Sequence, residues 1–150
     1  MTRIDFYLLP DVEHSAKLRF ACRLAYRAVS SGKSVNVQTA DPTESGELDG
    51  LMWSYPASNF LPHEISTERA KQAGVPVLIN HEEPQPAEDH VLINLTGEIP
   101  TFFGRFERVA EIILNPERSL GRDRYRNYRD KGYPLFHHDL DNWEEQCPTQ

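Results

Sequence analysis

The first forty residues alternate between strand-like and helix-like patterns of apolar positions. Arg3 to Leu9 is an apolar and aromatic run that Pro10 ends, as in a central strand buried on both faces. From His14 to Ser30, apolar residues recur every three or four positions between basic ones, which predicts an amphipathic helix that ends before Gly32. Ser34 to Thr39 alternates as a second strand does. A βαβ unit is therefore predicted.

The rest of the chain continues this alternation. Helices are predicted at Glu44 to Met52, Glu64 to Gln72, Thr101 to Leu114 and Pro116 to Gly132. Further strands are predicted at Val77 to Ile79 and Val91 to Leu95, with proline-containing loops at Trp53 to His63 and His81 to His90. Strands that alternate with helices predict a three-layer α/β/α sandwich with a mainly parallel, Rossmann-like sheet.

The length of the chain indicates one domain. A chain of 150 residues is one typical domain, which we place at residues 1–143. Leu135, Phe136, Leu140 and Trp143 offer apolar side chains that can dock near the end of this domain. Residues 144–150 carry almost no apolar side chains, so we expect a disordered tail there.

Charge and composition exclude several classes of protein. The 23 acidic residues outnumber the 16 basic ones, and a net charge of -7 opposes general attraction to nucleic acid or an anionic membrane. The sequence shows neither a signal peptide nor an apolar run long enough to span a membrane, so we expect a cytoplasmic protein. The two cysteines lie at opposite ends of the chain without metal-ligand spacing.

No motif predicts a catalytic residue, a cofactor or a metal site. Ser31 to Ser34 reads Ser-Gly-Lys-Ser, but it follows a helix and precedes a strand, which is the reverse of a phosphate-binding loop. The run from His137 to Asp139 offers metal-ligand types, but adjacent residues point in different directions and no distant ligand has the required spacing. An acid–base site assembled only by the fold stays open at this point.

A basic stripe departs from the acidic average of the chain. On a helix, five residues of the last predicted helix fall within an arc of about 100°. They are Arg118, Arg122, Tyr125, Arg126 and Arg129. Such a stripe is either a solvated helix face or a binding surface for an acidic partner, and the aromatic residue within it favours the second interpretation.

The loop from Trp53 to His63 is the second unusual segment. It contains Trp53, Pro56, Phe60 and Pro62 and has neither helical nor strand periodicity. Large aromatic residues are usually core residues, so the loop either packs onto the domain or exposes an interface.

Both segments resemble the chi subunit family of bacterial DNA polymerase III. The resemblance covers most of the chain and is most specific in two blocks, W-x-x-P-x-x-x-F-x-P-H from Trp53 and R-x-R-Y-[KR]-x-Y-R from Arg122. The opening FYLL of Phe6 to Leu9 and the Ser-Gly-Lys after the first helix agree with it. The loop from His81 to His90 and the tail after Pro134 depart from the family pattern.

The resemblance implies a non-catalytic adaptor of the clamp-loader complex that contacts DNA only indirectly. The family binds the acidic C-terminal tail of single-stranded DNA-binding protein on one side, which implies a tail site at Arg122, Tyr125, Arg126 and Arg129. It binds the psi subunit on the other side, which implies a psi site at Trp53, Pro56, Phe60 and Pro62. A helicase that competes for the psi surface is a further candidate partner. Arg126 replaces the usual lysine of the family and keeps its charge.

Two other classes of function remain open from the sequence. A small α/β enzyme would need a cleft in which acids or bases converge. A direct binder of single-stranded nucleic acid would use the helix from Arg118 to Lys131, and its affinity would fall steeply with salt.

Overall fold

The structure is a computed structural model that describes residues 2–55, 62–65, 76–84 and 89–144. The strands within these ranges are β1 (Arg3–Leu8), β2 (Val35–Gln38), β3 (His63–Ile65), β4 (Val77–Asn80), β5 (Val91–Asn94), β6 (Arg108–Ile113) and β7 (Leu135–Asp139). The helices are α1 (His14–Ser30), α2 (Pro42–Met52) and α3 (Arg118–Asp130), with short 3-10 helices at Phe103–Arg105 and Asn115–Glu117. The predicted α1 is confirmed with the same bounds.

The seven described strands form one sheet in the order β3-β4-β2-β5-β6-β1-β7, and every neighbouring pair is parallel. Successive side chains of a strand point to opposite faces, which produces two cores. On one face, α1 and α2 bury side chains such as Ala21 and Leu48 against the sheet. On the other face, α3 and the first 3-10 helix bury Tyr128 and Phe103. The predicted single-domain α/β/α architecture is confirmed.

Local chemistry ends the helices where the sequence predicts. Gly32 follows α1 with a φ of 82°, in the left-handed region that glycine adopts most easily, and its N–H bonds the carbonyl of Val29 at 2.9 Å. Gly132 follows α3 in the same left-handed conformation, with a φ of 86°. None of the helices among the described residues is long and apolar enough to cross a membrane.

The helix predicted from Thr101 to Leu114 is wrong. Phe103–Arg105 is a 3-10 helix, and Arg108–Ile113 is the strand β6, which pairs with both β1 and β5. Both faces of β6 are covered, so every residue from Val109 to Ile113 is buried. The strand therefore lacks the alternation of buried and exposed residues that identifies a half-buried strand. A short buried strand of this kind cannot be distinguished from a buried helix by periodicity alone.

Three further expectations need correction. The helix predicted from Glu64 to Gln72 is wrong at its start, where Glu64 and Ile65 lie in β3, and 66–72 lies outside the described residues. β1 is not central, because it is the sixth of seven strands and lies next to the edge strand. That edge strand, β7, comes from the region expected only to dock, and it pairs with β1 along Leu135–Asp139.

The last described residues pack onto α1. Trp143 is buried and donates from Nε1 to Asp11 at 2.8 Å, as expected for a docking side chain. The carboxylate of Glu144, which we assigned to the tail, accepts hydrogen bonds from Arg19 and from the hydroxyl of Tyr55. The folded part therefore includes Glu144, and 145–150 lies outside the described residues.

A buried carboxylate near the start of β1 makes folding sensitive to acid. Asp5 is fully buried and bonds Arg108 at 2.7 Å, His138 at 3.0 Å and Arg3 at 3.1 Å. Burial raises the pKa of Asp5, but the hydrogen bonds from Arg108, His138 and Arg3 outweigh it, so the pKa lies below its usual value. Protonation of Asp5 must therefore destabilise the folded state.

We expect Asp5→Asn to lower the free energy of unfolding by about 1.5–3 kcal/mol at pH 7, the usual contribution of hydrogen bonds to a charged group. A lowered folded pKa gives stability that is present above the unfolded value of about 3.9 and is lost as the pH falls through the folded pKa. The difference from the unmodified chain should shrink below about pH 4. Urea unfolding between pH 7 and pH 3 measures it, with the exposed Asp123→Asn as control. A difference that does not change with pH would contradict this account.

Candidate functional site

The orientation of α3 is fixed by a buried polar network. Glu111 of β6 is fully buried and pairs with Nη1 of Arg124 at 2.5 Å. Tyr128 donates to the same carboxylate at 2.8 Å and Asn94 at 2.9 Å, while Nη2 of Arg124 donates to the carbonyl of Thr96 at 2.8 Å. Burial and the neighbouring Glu111 raise the pKa of Tyr128, so its hydroxyl remains a donor. These bonds hold one face of α3 against the sheet.

An open cavity of about 190 Å³ lies beside this network, between α3 and the sheet. Its lining from the sheet is Phe6, Leu8, Ile113 and His137, and its lining from α3 is Arg118, Gly121, Arg122 and Tyr125. The cavity therefore has an apolar floor and a rim that carries two guanidinium groups. This volume lies below the 300–1,000 Å³ typical of small-molecule sites, so it suits a single side chain.

A glycine lets the helix approach the sheet at the cavity. A Cβ on Gly121 would lie 3.1 Å from Cγ2 of Ile113, closer than most real contacts of that kind. Tyr125 packs its ring 5.5 Å from that of Phe6 and forms one wall. The short distance between helix and strand and the missing side chain together shape the cavity.

The cations of the predicted stripe differ in their partners. The side chain of Arg122 is exposed and makes no hydrogen bond or ion pair with any described residue. Nε of Arg118 is buried and has no hydrogen-bond partner among the described residues. Arg126 pairs with Asp123 at 2.8 Å and Arg129 with Asp130 at 3.4 Å.

The structure therefore brings Arg122 and Tyr125 together in the cavity and places Arg126 and Arg129 on the exposed surface beyond it. Arg118 belongs to the same stripe, and the structure adds it to the cavity rim. His137 also lines the cavity. From the sequence, His137 is only a candidate metal-ligand type, and its place in this cavity is not predicted because it lies on β7, a strand that the pattern does not predict.

The aromatic loop begins at an exposed surface. Trp53 directly follows α2 and is 64% exposed, and its ring makes a T-shaped contact with the His63 ring, with 5.0 Å between the centroids. Nε2 of His63 lies 3.2 Å from the Asp49 carboxylate, which joins β3 to α2. Pro62 is exposed, and the predicted site residues Pro56 and Phe60 lie outside the described residues.

The two surfaces lie near opposite ends of the sheet. Trp53 contacts β3, the first strand of the sheet order, and the cavity is built on β1 and β6. Five strand spacings of about 4.8 Å separate β3 from β1, a distance of about 24 Å. The two surfaces are therefore separate.

The other candidate motifs are engaged in local structure. Gly32 and Lys33 follow the C-terminus of α1, and Nζ of Lys33 pairs with Glu107 at 3.2 Å. His137 and His138 lie on opposite faces of β7, and Nε2 of His138 lies 3.0 Å from Asp5. Within the part of the chain that the structure describes, no group of three or more His, Cys, Asp and Glu side chains is arranged to hold a metal ion.

The fold and these surfaces define a small α/β protein with separate basic and aromatic surfaces at the two ends of one parallel sheet. Residues 1–136 match the family model described as DNA polymerase III chi subunit, HolC. The chain therefore belongs to the chi subunit family of DNA polymerase III, a family of DNA replication subunits.

Three relatives agree with this assignment, and all are named DNA polymerase III subunit chi. The relative from Pseudomonas aeruginosa is 42% identical over 142 residues, which cover 93% of this chain and 98% of the relative. The relative from Escherichia coli is 29% identical and covers 90% of this chain and 96% of its own length. The relative from Haemophilus influenzae is 29% identical, with 87% and 92% covered.

Proposed function

We propose that this chain is a non-catalytic adaptor of the replication machinery. It links the clamp-loader complex, through the psi subunit, to the acidic C-terminal tail of single-stranded DNA-binding protein. The observation that carries the proposal is the α3 cavity, in which Arg122 and Tyr125 stand over an apolar floor. Membership of a polymerase subunit family favours this role over a separate enzyme or a direct binder of single strands.

The chemistry of the cavity suits the end of an acidic peptide. A C-terminal aromatic side chain would fill the apolar floor made by Phe6, Leu8 and Ile113. Its carboxylate would then reach the guanidinium groups of Arg118 and Arg122, which both line the rim. Neighbouring acidic residues of the peptide would pass the outer cations Arg126 and Arg129. Contact with DNA would then be indirect, through the protein that coats it.

The exposed Trp53 supports the second half of the proposal. A tryptophan that is 64% exposed is a typical interface residue, because a partner can remove a large apolar area from water. The psi subunit would cover this surface together with Pro56, Phe60 and Pro62. A competing helicase would bind the same surface.

We expect Arg122→Ala to weaken binding of a peptide that ends in acidic residues and phenylalanine by roughly tenfold or more, since a charge-assisted hydrogen bond contributes about 1.5–3 kcal/mol. Fluorescence anisotropy with the labelled peptide measures this loss. Added salt should weaken the remaining affinity, because exposed charges are screened.

The matched control is Arg27→Ala, which removes an exposed arginine of α1 on the opposite face of the sheet. It should leave the affinity for the peptide unchanged. Equal affinity in the unmodified chain and in an Arg122→Ala, Tyr125→Ala double variant would exclude the α3 cavity as the tail site.

A further inference from the structure

A second and larger concave surface lies on the face of the sheet opposite the α3 cavity. This groove has a volume of about 1,000 Å³ and runs between α1 and the strands β6, β1 and β7. Its floor includes Tyr7 and Ala110, and its walls include Leu24 of α1 and His138 of β7. Tyr7 and its neighbour Phe6 point to opposite faces of β1, so the groove and the α3 cavity are separate sites.

The groove is open because α1 does not cover this end of the sheet. Helix α1 contacts β2, β5 and β6, while Phe136 of the edge strand β7 remains 43% exposed on the same face. Trp143 packs edge-on against Phe20 at 5.2 Å and closes only the end near the carboxyl ends of the strands. The remaining floor follows the six residues of β1, a length of about 20 Å.

Positive charge gathers at the other end of the groove. Arg3, Arg27, Lys33 and Arg108 line it near the amino ends of the strands. The acidic groups beside them are Glu107 and the buried Asp5, and Asp5 is shared by Arg3 and Arg108. Four cations against two carboxylates leave a local excess of positive charge in a chain whose net charge is -7.

One of these cations has no internal role. The side chain of Arg27 is exposed and forms no hydrogen bond or ion pair with the described residues, and Lys33 only shares an exposed pair with Glu107 at 3.2 Å. The opposite end of the groove is aromatic, with the stacked rings of Tyr7 and His138 and the rings of Phe20 and Trp143. Arg23 also lines this end and lies 5.3 Å from the Trp143 ring, so the surface changes from mainly basic to mainly aromatic along its length.

We propose that this groove binds an extended segment of a partner protein, about six residues long, whose acidic half lies at Arg27 and Arg108 and whose apolar half lies at Tyr7 and Phe20. The length follows from the strand that forms the floor. A single strand of nucleic acid fits less well, because its phosphates need cations along the whole groove. At the aromatic end the cation is Arg23, whose guanidinium donates to the Tyr55 hydroxyl and to the carbonyls of Trp143 and Glu144. This site does not depend on the tail or psi sites.

The test uses a labelled hexapeptide. Its first half is two glutamates and an aspartate, and its second half is two leucines and a phenylalanine. Acetyl and amide groups block its ends, so it lacks the terminal carboxylate on which the α3 cavity depends. The unmodified chain should bind it with a dissociation constant below about 100 µM. Arg27→Glu should weaken it at least tenfold, and a peptide with lysines in place of the acidic residues should not bind.

The controls separate this site from the α3 cavity. Arg122→Ala should leave hexapeptide binding unchanged, and Arg27→Glu should leave the tail peptide unchanged. Binding of the lysine peptide as strong as that of the acidic one would overturn the proposal, as would equal binding by Arg27→Glu. Binding of an oligothymidylate, lost in Arg27→Glu, without binding of the acidic hexapeptide would also overturn it and would assign the groove to nucleic acid.

Discussion

Replacing Arg124 with methionine is expected to lower the free energy of unfolding by about 3–5 kcal/mol. Glu111 is fully buried, and the guanidinium of Arg124 at 2.5 Å is its cationic partner. Tyr128 and Asn94 still donate to the carboxylate in the variant, but neither compensates its charge. An unpaired buried charge costs far more than the pair itself contributes, and urea unfolding at neutral pH measures the difference.

The matched control is Arg126→Met in the same helix. Arg126 is exposed and pairs only with the exposed Asp123, so its loss should change stability by less than about 0.5 kcal/mol. Adding Glu111→Leu to Arg124→Met should recover much of the lost stability, because the unpaired charge is then removed. If Arg124→Met and Arg126→Met unfold at the same urea concentration, the network does not hold α3 in place.

Replacing Trp53 with alanine is expected to weaken binding of the psi subunit by about 2 kcal/mol or more, a loss of roughly thirtyfold. The side chain is 64% exposed, so its loss should hardly change the melting temperature. Loss of a core aromatic residue would instead cost about 3–5 kcal/mol of stability. Calorimetric titration with psi and a thermal melt together distinguish an interface residue from a core residue.

Phe136→Ala is the matched control for Trp53→Ala. Phe136 is also a partly exposed aromatic residue, but it lies on β7 at the opposite end of the sheet. It should leave psi binding unchanged, and Phe60→Ala should behave as Trp53→Ala does. Unchanged psi affinity in Trp53→Ala, or loss of tail-peptide binding along with it, would contradict two separate interfaces.

The architecture could be predicted from the sequence where one physical cause dominates the pattern. Helix α1 is amphipathic because one side packs on the sheet, and Gly32 ends it, so periodicity and a turn residue locate both ends. β6 was mistaken for a helix because both of its faces are buried, which erases the period of two. The sequence pattern does not predict β7, because backbone pairing with β1 forms this strand. As an edge strand it tolerates polar residues, and its two histidines and Asp139 obscure the apolar pattern.

The candidate site could be predicted only in part for a related reason. A helical wheel places Arg118, Arg122 and Tyr125 on one face, and the cavity has all three on its rim. The wheel cannot show that Arg126 and Arg129 do not line the cavity, because that depends on the strand beside the helix. The floor residues Phe6, Leu8 and Ile113 are distant in sequence and meet only through the parallel pairing of β1 with β6.

The most direct test of the adaptor proposal measures bridging itself. The psi subunit of the same organism is immobilised, loaded with the chain, and then exposed to single-stranded DNA-binding protein in a surface-binding instrument. The account predicts that single-stranded DNA-binding protein is retained only when the chain is present, that Arg122→Ala stays on psi but no longer retains it, and that Trp53→Ala fails to load. If the chain on psi retains no single-stranded DNA-binding protein, or if Arg122→Ala retains as much as the unmodified chain, the adaptor account is contradicted.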